Sequence, residues 1–223
     1  MTEPPDAEDT GRAARRARRS ALPKPQLQIR HTEGAVLLPD RSALLDRMPG
    51  GCVVAEIGVA FGDFTAEILA RARPRHLHLI DSWESDRYAS GLDEVRMRFV
   101  REIAAGTVQI DRGLSTQVLA RFDQGYFDWV YIDTDHSYET TAAELALCDR
   151  VVARDGLIAG HDFCTGNIIA PVVYGVIPAV HEFCLTRGWR YDAVTLESHG
   201  HFSFSLRRLD PAPGRIEQSP GRA

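Results

Sequence analysis

Four stretches of this sequence end an apolar run on glycine or an ionisable residue: AEIGVAFGDF at 55–64, LHLID at 77–81, DWVYIDTDH at 128–136 and LIAGHDF at 157–163. Carboxylates placed against apolar runs are costly unless they bind something. Glu56, Asp81, Asp133 and Asp162 together therefore argue for a ligand site. Gly58 and Gly62 let the backbone turn sharply and approach a ligand closely. A nicotinamide-dinucleotide loop, G-x-G-x-x-G, starting at Gly58 would need glycine where Ala60 and Asp63 stand, and acids there would face the phosphates. An E-x-G-x-x-x-G loop suits a cationic cofactor instead, such as a sulfonium carrying an amino group. Taken alone, the loop reads equally well as a plain tight turn. Asp81 lies 23 residues after Gly58, near the distance at which an acid accepts hydrogen bonds from both ribose hydroxyls. Its other reading is a helix cap. Trp83 either covers an adenine edge or packs in the core.

The elements that must position these residues alternate in type. CVVAEIGV (52–59), HLHLID (76–81), TVQI (107–110), DWVYID (128–133) and LIAG (157–160) read as strands. Between them lie helical patterns: Phe64, Ile68 and Leu69; then Leu92, Val95, Phe99, Val100 and Ile103; then a helix opened by Ser115; then Tyr138, Ala142, Leu145, Cys148 and Val152 on one face, ending in the ARDG turn at Gly156. Pro178 fits the first turn of a last helix, with Val180, Phe183 and Cys184 inward. YDAVTL (191–196) and HFSFSLRR (201–208), joined by a short turn, should pair antiparallel. Strands alternating with helices predict an α/β, doubly wound, mostly parallel sheet, whose ligands sit outside the carboxyl ends of the strands.

AEIGVAFGDF, LHLIDSW, DWVYIDTDHSYE and GLIAGHDF, in this order and spacing, resemble the class I methyltransferases of the bacterial group that includes antibiotic and sugar O-methyltransferases. The resemblance runs from about Glu33 to Arg207. It implies the seven-stranded, Rossmann-like methyltransferase sheet with a reversed final hairpin, S-adenosylmethionine as cofactor, and a hydroxyl acceptor on a sugar or natural product. It implies that Glu56, Gly58, Gly62 and Asp81 bind the cofactor, with Ser82, Trp83 and Asp133 beside it. Gly113 and Ser115, in DRGLST, match the loop that borders the adenine, and Leu114 stands where such enzymes usually carry an acid. In related metal-dependent enzymes an acid after the fourth strand and polar residues after the fifth hold a divalent metal. Carried over, these are Asp133, His161 and Asp162. Oxygen ligands suit magnesium, whereas the imidazole of His161 suits manganese, iron or zinc. The other reading leaves both aspartates to the cofactor or to helix caps. Asp135 and His136 are the candidate bases. His136 titrates near neutral pH. Asp135, the acid that the resembling sugar methyltransferases offer, would need a raised pKa and equally caps the following helix. His136 is the favoured base.

The 223 residues are 44% hydrophobic and carry a formal charge of -5. This fits one core, read as a single domain at 30–208, and gives no electrostatic case for nucleic acid or an anionic membrane. No run of 18 apolar residues exists to span a bilayer. Cys52, Cys148, Cys164 and Cys184 form no CxxC pair and read as reduced thiols of a cytoplasmic protein. Residues 1–25, with Arg12, Arg15, Arg16, Arg18 and Arg19, read as a disordered basic tail, because the apolar stretch that should follow a twin-arginine signal is missing. Residues 211–223 read as a second loose tail. His76 and His78 read as packing or surface residues; His181 lies on a helix and His199 and His201 bracket a turn, and any of the five could line a substrate pocket, although a lone histidine usually does not. The expected partner is a small-molecule acceptor, and self-association stays open. Three rivals remain: a nicotinamide dehydrogenase, against which the broken glycine pattern argues; a non-catalytic cofactor-binding module, which would leave the second pair of acids idle; and a nucleic-acid methyltransferase, against which the net charge and the missing Asn/Asp-Pro-Pro-aromatic motif weigh.

Overall fold

The computed structural model describes residues 7–167 and 171–209. Its elements in chain order are α1 (Ala7–Ala21), β1 (Val36–Leu38), α2 (Arg41–Arg47), β2 (Val53–Ile57), α3 (Asp63–Arg71), β3 (His76–Asp81), α4 (Gly91–Arg98), α5 (Val100–Ala104), β4 (Val108–Arg112), α6 (Ser115–Leu119), β5 (Phe127–Ile132), α7 (Tyr138–Val151), β6 (Val152–Gly160), β7 (Gly166–Asn167), β8 (Val172–Val173), α8 (Val176–Arg187), β9 (Trp189–Thr195) and β10 (Phe204–Arg208). All five residues of β2 are buried, as a strand covered on both faces requires. Ala55 and Ile57 pack with Val130, Ile132, Leu145 and Val180, on the side of α7 and α8. Val54 packs with Leu79, Tyr131, Phe64 and Ile68, on the side of α3.

The main sheet has eight strands in the order β1-β9-β10-β6-β5-β2-β3-β4. β10 runs antiparallel to both β6 and β9, and the other neighbours are parallel. This is the expected doubly wound α/β sheet with its reversed final strand. β1 adds an eighth strand at the edge, Val36 opposite Ala193; three residues are too few to carry a period of two. The chain builds outward from β2 through β3 to β4, then returns to place β5 on the other side of β2. The topological switch point, where open α/β sheets bind ligands, is therefore the crevice between the ends of β2 and β5. β7 and β8 form a separate small hairpin.

Three local expectations change. The helix expected through Ile103 breaks at Phe99 (φ -110°, ψ 25°), so Val100 is 59% exposed and off the buried face. The helix expected to run to Gly156 ends at Val151, and Val152 already starts β6. Residues 7–21, expected within a disordered tail, form α1, whose alanines and arginines are strong helix formers. The tail expected at 211–223 lies outside the described residues.

At the switch point Gly58 has φ +89°, and a Cβ on it would stand 1.9 Å from the carbonyl oxygen of Asp133. Gly58→Ala should therefore destabilise the fold by more than the roughly 1–3 kcal/mol of backbone strain alone, read as a lower urea midpoint. A midpoint equal to that of the parent would show that the two loops do not cross so closely.

Candidate active site

Asp81 ends β3 and organises the loop after β2. Its Oδ2 accepts hydrogen bonds from the backbone N–H groups of Val59 (2.8 Å) and Ala60 (3.0 Å), and its Oδ1 accepts from Trp83 N–H (2.9 Å). A carboxylate offers about four acceptor positions, so capacity remains for a further donor. Trp83 is 3% exposed, and its indole Nε1 donates to Ala60 O at 2.8 Å. The core reading of Trp83 is the one the structure has. Gly62 caps α3 at φ +81°, and a Cβ there would meet Phe99 at 2.7 Å. Glu56 lies beneath the loop, 1% exposed, accepting from Thr65 Oγ1 at 2.5 Å. Burial pushes its carboxyl up to about 8, so it is neutral at pH 7. The negative charge open to a cationic ligand comes from Asp81 and Asp133 instead.

Backbone hydrogen bonds continue past the strand ends. Gly113 N–H donates to Asp81 O (2.9 Å), Gly58 N–H to Ile80 O (2.9 Å), Asp133 N–H to Ile57 O (2.7 Å) and His161 N–H to Ile132 O (2.9 Å). Four loops are thus tied edge to edge. The loops after β2, β3, β5 and β6 each hold a non-glycine residue in the left-handed region: Ala60 (φ 51°), Trp83 (φ 50°), His136 (φ 62°) and Asp162 (φ 51°). Such strain persists only where surrounding structure enforces it, and it gathers at functional sites.

The loops after β5 and β6, with the segment between β9 and β10, bring two carboxylates and three imidazoles together. His136 Nε2 lies 2.6 Å from Asp162 Oδ2 and 3.2 Å from Asp133 Oδ1. His161 Nδ1 lies 3.6 Å from both Asp133 Oδ2 and Asp162 Oδ1. His201 Nδ1 contacts Asp162 Oδ1 directly. Burial alone would lower the pKa of His136, but the two carboxylates outweigh it and raise it to about 9. Burial would raise Asp162, but His136 and His201 hold it well below the usual carboxylate range. His161 is lowered, chiefly by burial. Ligand atoms of Asp133, His136 and Asp162 all lie within 4.8 Å of one another, as do those of Asp162, Cys164 and His201. Two carboxylates with imidazole fit a divalent cation such as manganese.

The structure separates the remaining expected residues. Asp135 is exposed and turned away from the cluster: Oδ1 accepts from Ser137 N–H (2.9 Å) and Oδ2 from Thr140 Oγ1 (2.9 Å), at the start of α7. Asp135 thus braces the turn into α7, whose N-cap is Ser137, and does not join the charged cluster. His136 carries its proton in this state, so its ordinary neutral titration does not apply. Within the metal set, His136 joins the two aspartates more closely than His161 does. Ser82 is half-buried beside Asp81. Gly113 (φ +150°) turns the loop that Ser115 follows, and Leu114 is 49% exposed. Glu144, fully buried on α7, accepts from Thr134 Oγ1 (3.0 Å) and bonds Ser115. It thereby braces the loops after β4 and β5. Burial pushes it up to about 7. His201, Tyr174 and Cys164 are the site residues that sequence reading missed. His201 arrives only because β10 pairs with β6, Phe204 opposite Gly160, and Tyr174 stacks on His136 at 4.6 Å. No local sequence signal announces either contact.

These charges fix a pH dependence for the metal-free protein. His136 has a folded pKa of about 9 against 6.5 when exposed, so its contribution is full below pH 6.5 and is lost as pH rises through 9. Glu56 and Glu144, held neutral by burial, act in the same direction from about pH 4.5 upward, through about 8 and 7 respectively. In chelator the melting temperature should fall between pH 6.5 and 9, and His136→Ala should flatten that stretch. Equal slopes in parent and variant would show that the carboxylates do not hold the proton on His136.

Residues 55–163 match a family described as "Methyltransferase domain". No curated protein sequence matches the chain. Among solved structures, cofactor-bound Rv0187 from MTB is 20% identical over 94% of this chain and 92% of that one, with a TM-score of 0.57. A SAM dependent methyltransferase from Aquifex aeolicus is 11% identical over 80% of this chain and 90% of that one, at 0.55. The pyocyanin biosynthetic protein PhzM is 14% identical over 71% of this chain, at 0.53, and the chain spans about half (51%) of its length. The sheet is the Rossmann-like methyltransferase fold, and the domain match covers its glycine loop, Asp81, Asp133 and Asp162.

Proposed function

We propose that this protein transfers the methyl group of S-adenosylmethionine to a hydroxyl of a small molecule, a sugar or natural product, with a divalent cation assisting at Asp133 and Asp162. The observation that carries this reading is the meeting of two carboxylates with His136 and His161 one loop away from the Gly58 crossing at the switch point. The domain match and the fold support the methyl-transfer part.

S-adenosylmethionine supplies an activated methyl group on a sulfonium. The chain's share is to hold the acceptor oxygen in line with it, and orientation of this kind supplies much of a displacement's rate. Asp81, with acceptor capacity left over and Ser82 beside it, is placed for the ribose hydroxyls. Gly58 keeps open the space that a Cβ would fill. A cation held by Asp133 and Asp162 would lower the hydroxyl's pKa and replace the His136 proton as their counter-charge. His161, kept neutral by burial, offers Nδ1 as a third donor. His136 Nε2 is then the atom that takes the hydroxyl proton. No described helix is long and apolar enough to cross a membrane. All four cysteines are free thiols, which supports a cytoplasmic setting.

S-adenosylhomocysteine should raise the melting temperature, and Asp81→Ala should weaken its binding tenfold or more by calorimetry. A variant that binds as tightly as the parent would remove Asp81 from the site. With labelled cofactor and an acceptor panel, chelator, Asp133→Asn and Asp162→Asn should each abolish metal-stimulated turnover. His136→Ala should lower turnover while leaving cofactor affinity nearly unchanged. Full turnover in chelator and in both aspartate variants would overturn the metal assistance.

A further inference from the structure

The N-terminal arm closes a cavity of about 240 Å³ beside the charged cluster. Arg19, Leu22, Pro23 and Lys24 form one side of it, and Cys164 and Tyr174 stand on the other. Both of the latter reach the cluster. The Tyr174 ring stacks on His136 at 4.6 Å, Cys164 N–H donates to Asp162 O at 2.7 Å, and Cys164 Sγ lies 3.8 Å from His201 Nδ1. The arm is anchored rather than merely adjacent. Leu27 packs against the core, and His181 bonds the backbone of Pro25. Pro23 and Pro25 stiffen the segment that carries Lys24.

The charge of this cavity is one-sided. Arg19 and Lys24 are exposed, and among the described residues neither has a carboxylate partner and no acid lines the cavity. The aspartates lie outside the lining, behind Tyr174 and Cys164: Tyr174 stacks on His136, which contacts Asp162, and Cys164 bonds the Asp162 backbone. The volume is below the range usual for drug-sized ligands, so it takes a body of about one ring. We propose that the acceptor is a small hydroxylated anion: Arg19 and Lys24 hold its carboxylate or phosphate, its body lies against Leu22, Pro23 and Tyr174, and its hydroxyl points to His136 and Asp162. This rests on the reading of the cluster as the site of hydroxyl methylation, and it assigns the selection of acceptors to the arm.

The test is calorimetry with manganese and saturating S-adenosylhomocysteine. The probes are 3,4-dihydroxybenzoate, glucuronate and glucose 1-phosphate, against the neutral 3,4-dihydroxybenzamide and glucose. At least one acid should bind about tenfold more tightly than its neutral counterpart, as two partly solvated ion pairs allow, and the difference should shrink with added salt. Which acid binds separates carboxylate from phosphate. The double variant Arg19→Ala, Lys24→Ala should lose the preference, and Arg19→Lys, Lys24→Arg should keep it. S-adenosylhomocysteine affinity and melting temperature should stay at parent values in both, because the two side chains are exposed. Equal binding of acids and neutral partners, binding by none of the acids, or a preference that survives the alanine pair overturns the inference. Turnover of the acidic acceptors left untouched by the alanine pair would overturn it while leaving the methyl-transfer reading standing. Charge-selective binding without turnover of any probe would support the arm's role and count against methyl transfer.

Discussion

Four backbone hydrogen bonds run across the carboxyl edge of the sheet, each from the first residue of a loop to the end of the neighbouring strand: Gly113 to Asp81, Gly58 to Ile80, Asp133 to Ile57 and His161 to Ile132. The rest of the site depends on this row. It extends the parallel ladder one step beyond the regular strands, so each motif residue begins from a fixed point before its loop departs. It also forces the loops after β2 and β5 so close that only glycine fits at position 58. The crevice of a doubly wound sheet is usually described by topology. Here it has a local cause in these bonds and in the missing Cβ.

The same constraint concentrates charge. Asp133 and Asp162 are carried to adjacent loop starts and cannot move apart, and isolated carboxylates at such depth would be costly. His136, His161 and His201 answer this from three separate segments. The left-handed backbone at His136 and Asp162 is what turns their side chains toward each other across the gap. In this state the imidazolium of His136 serves as counter-ion, and that gives a cation binding at the same carboxylates something to displace. Glu56 and Glu144 show the contrasting solution. Fully buried, both are pushed up by desolvation, Glu56 to about 8 and Glu144 to about 7, and both act as hydrogen-bonding braces.

The arm and the sheet meet only in three dimensions, yet each constrains the other. α8 packs its buried face on α7, and its first turn borders the cavity that the arm closes. One half of the crevice is built from the consecutive strands β2, β3 and β4, and the other from β5, β6, the β7–β8 hairpin and the arm.

The sequence by itself determined the strands, the sheet class and the loops that carry chemistry. Short runs rich in branched and apolar residues, such as VVAEI and HLHLI, are local signals of buried strands, and a glycine or acid at their ends is visible without any partner. It left open whether Asp81, Asp135 and Trp83 face a ligand or the protein, because a helix cap, a ribose contact and a core contact demand the same residue types. Only the tertiary structure decided that Asp135 braces the turn before α7, that Trp83 is buried under the loop, and that His136 is a charged bridge between two aspartates. Only the tertiary structure, likewise, brought His201 and the arm to the cluster. Their positions come from strand pairing and helix docking over long sequence separations, and no periodicity within a window of residues encodes a contact between segments that distant.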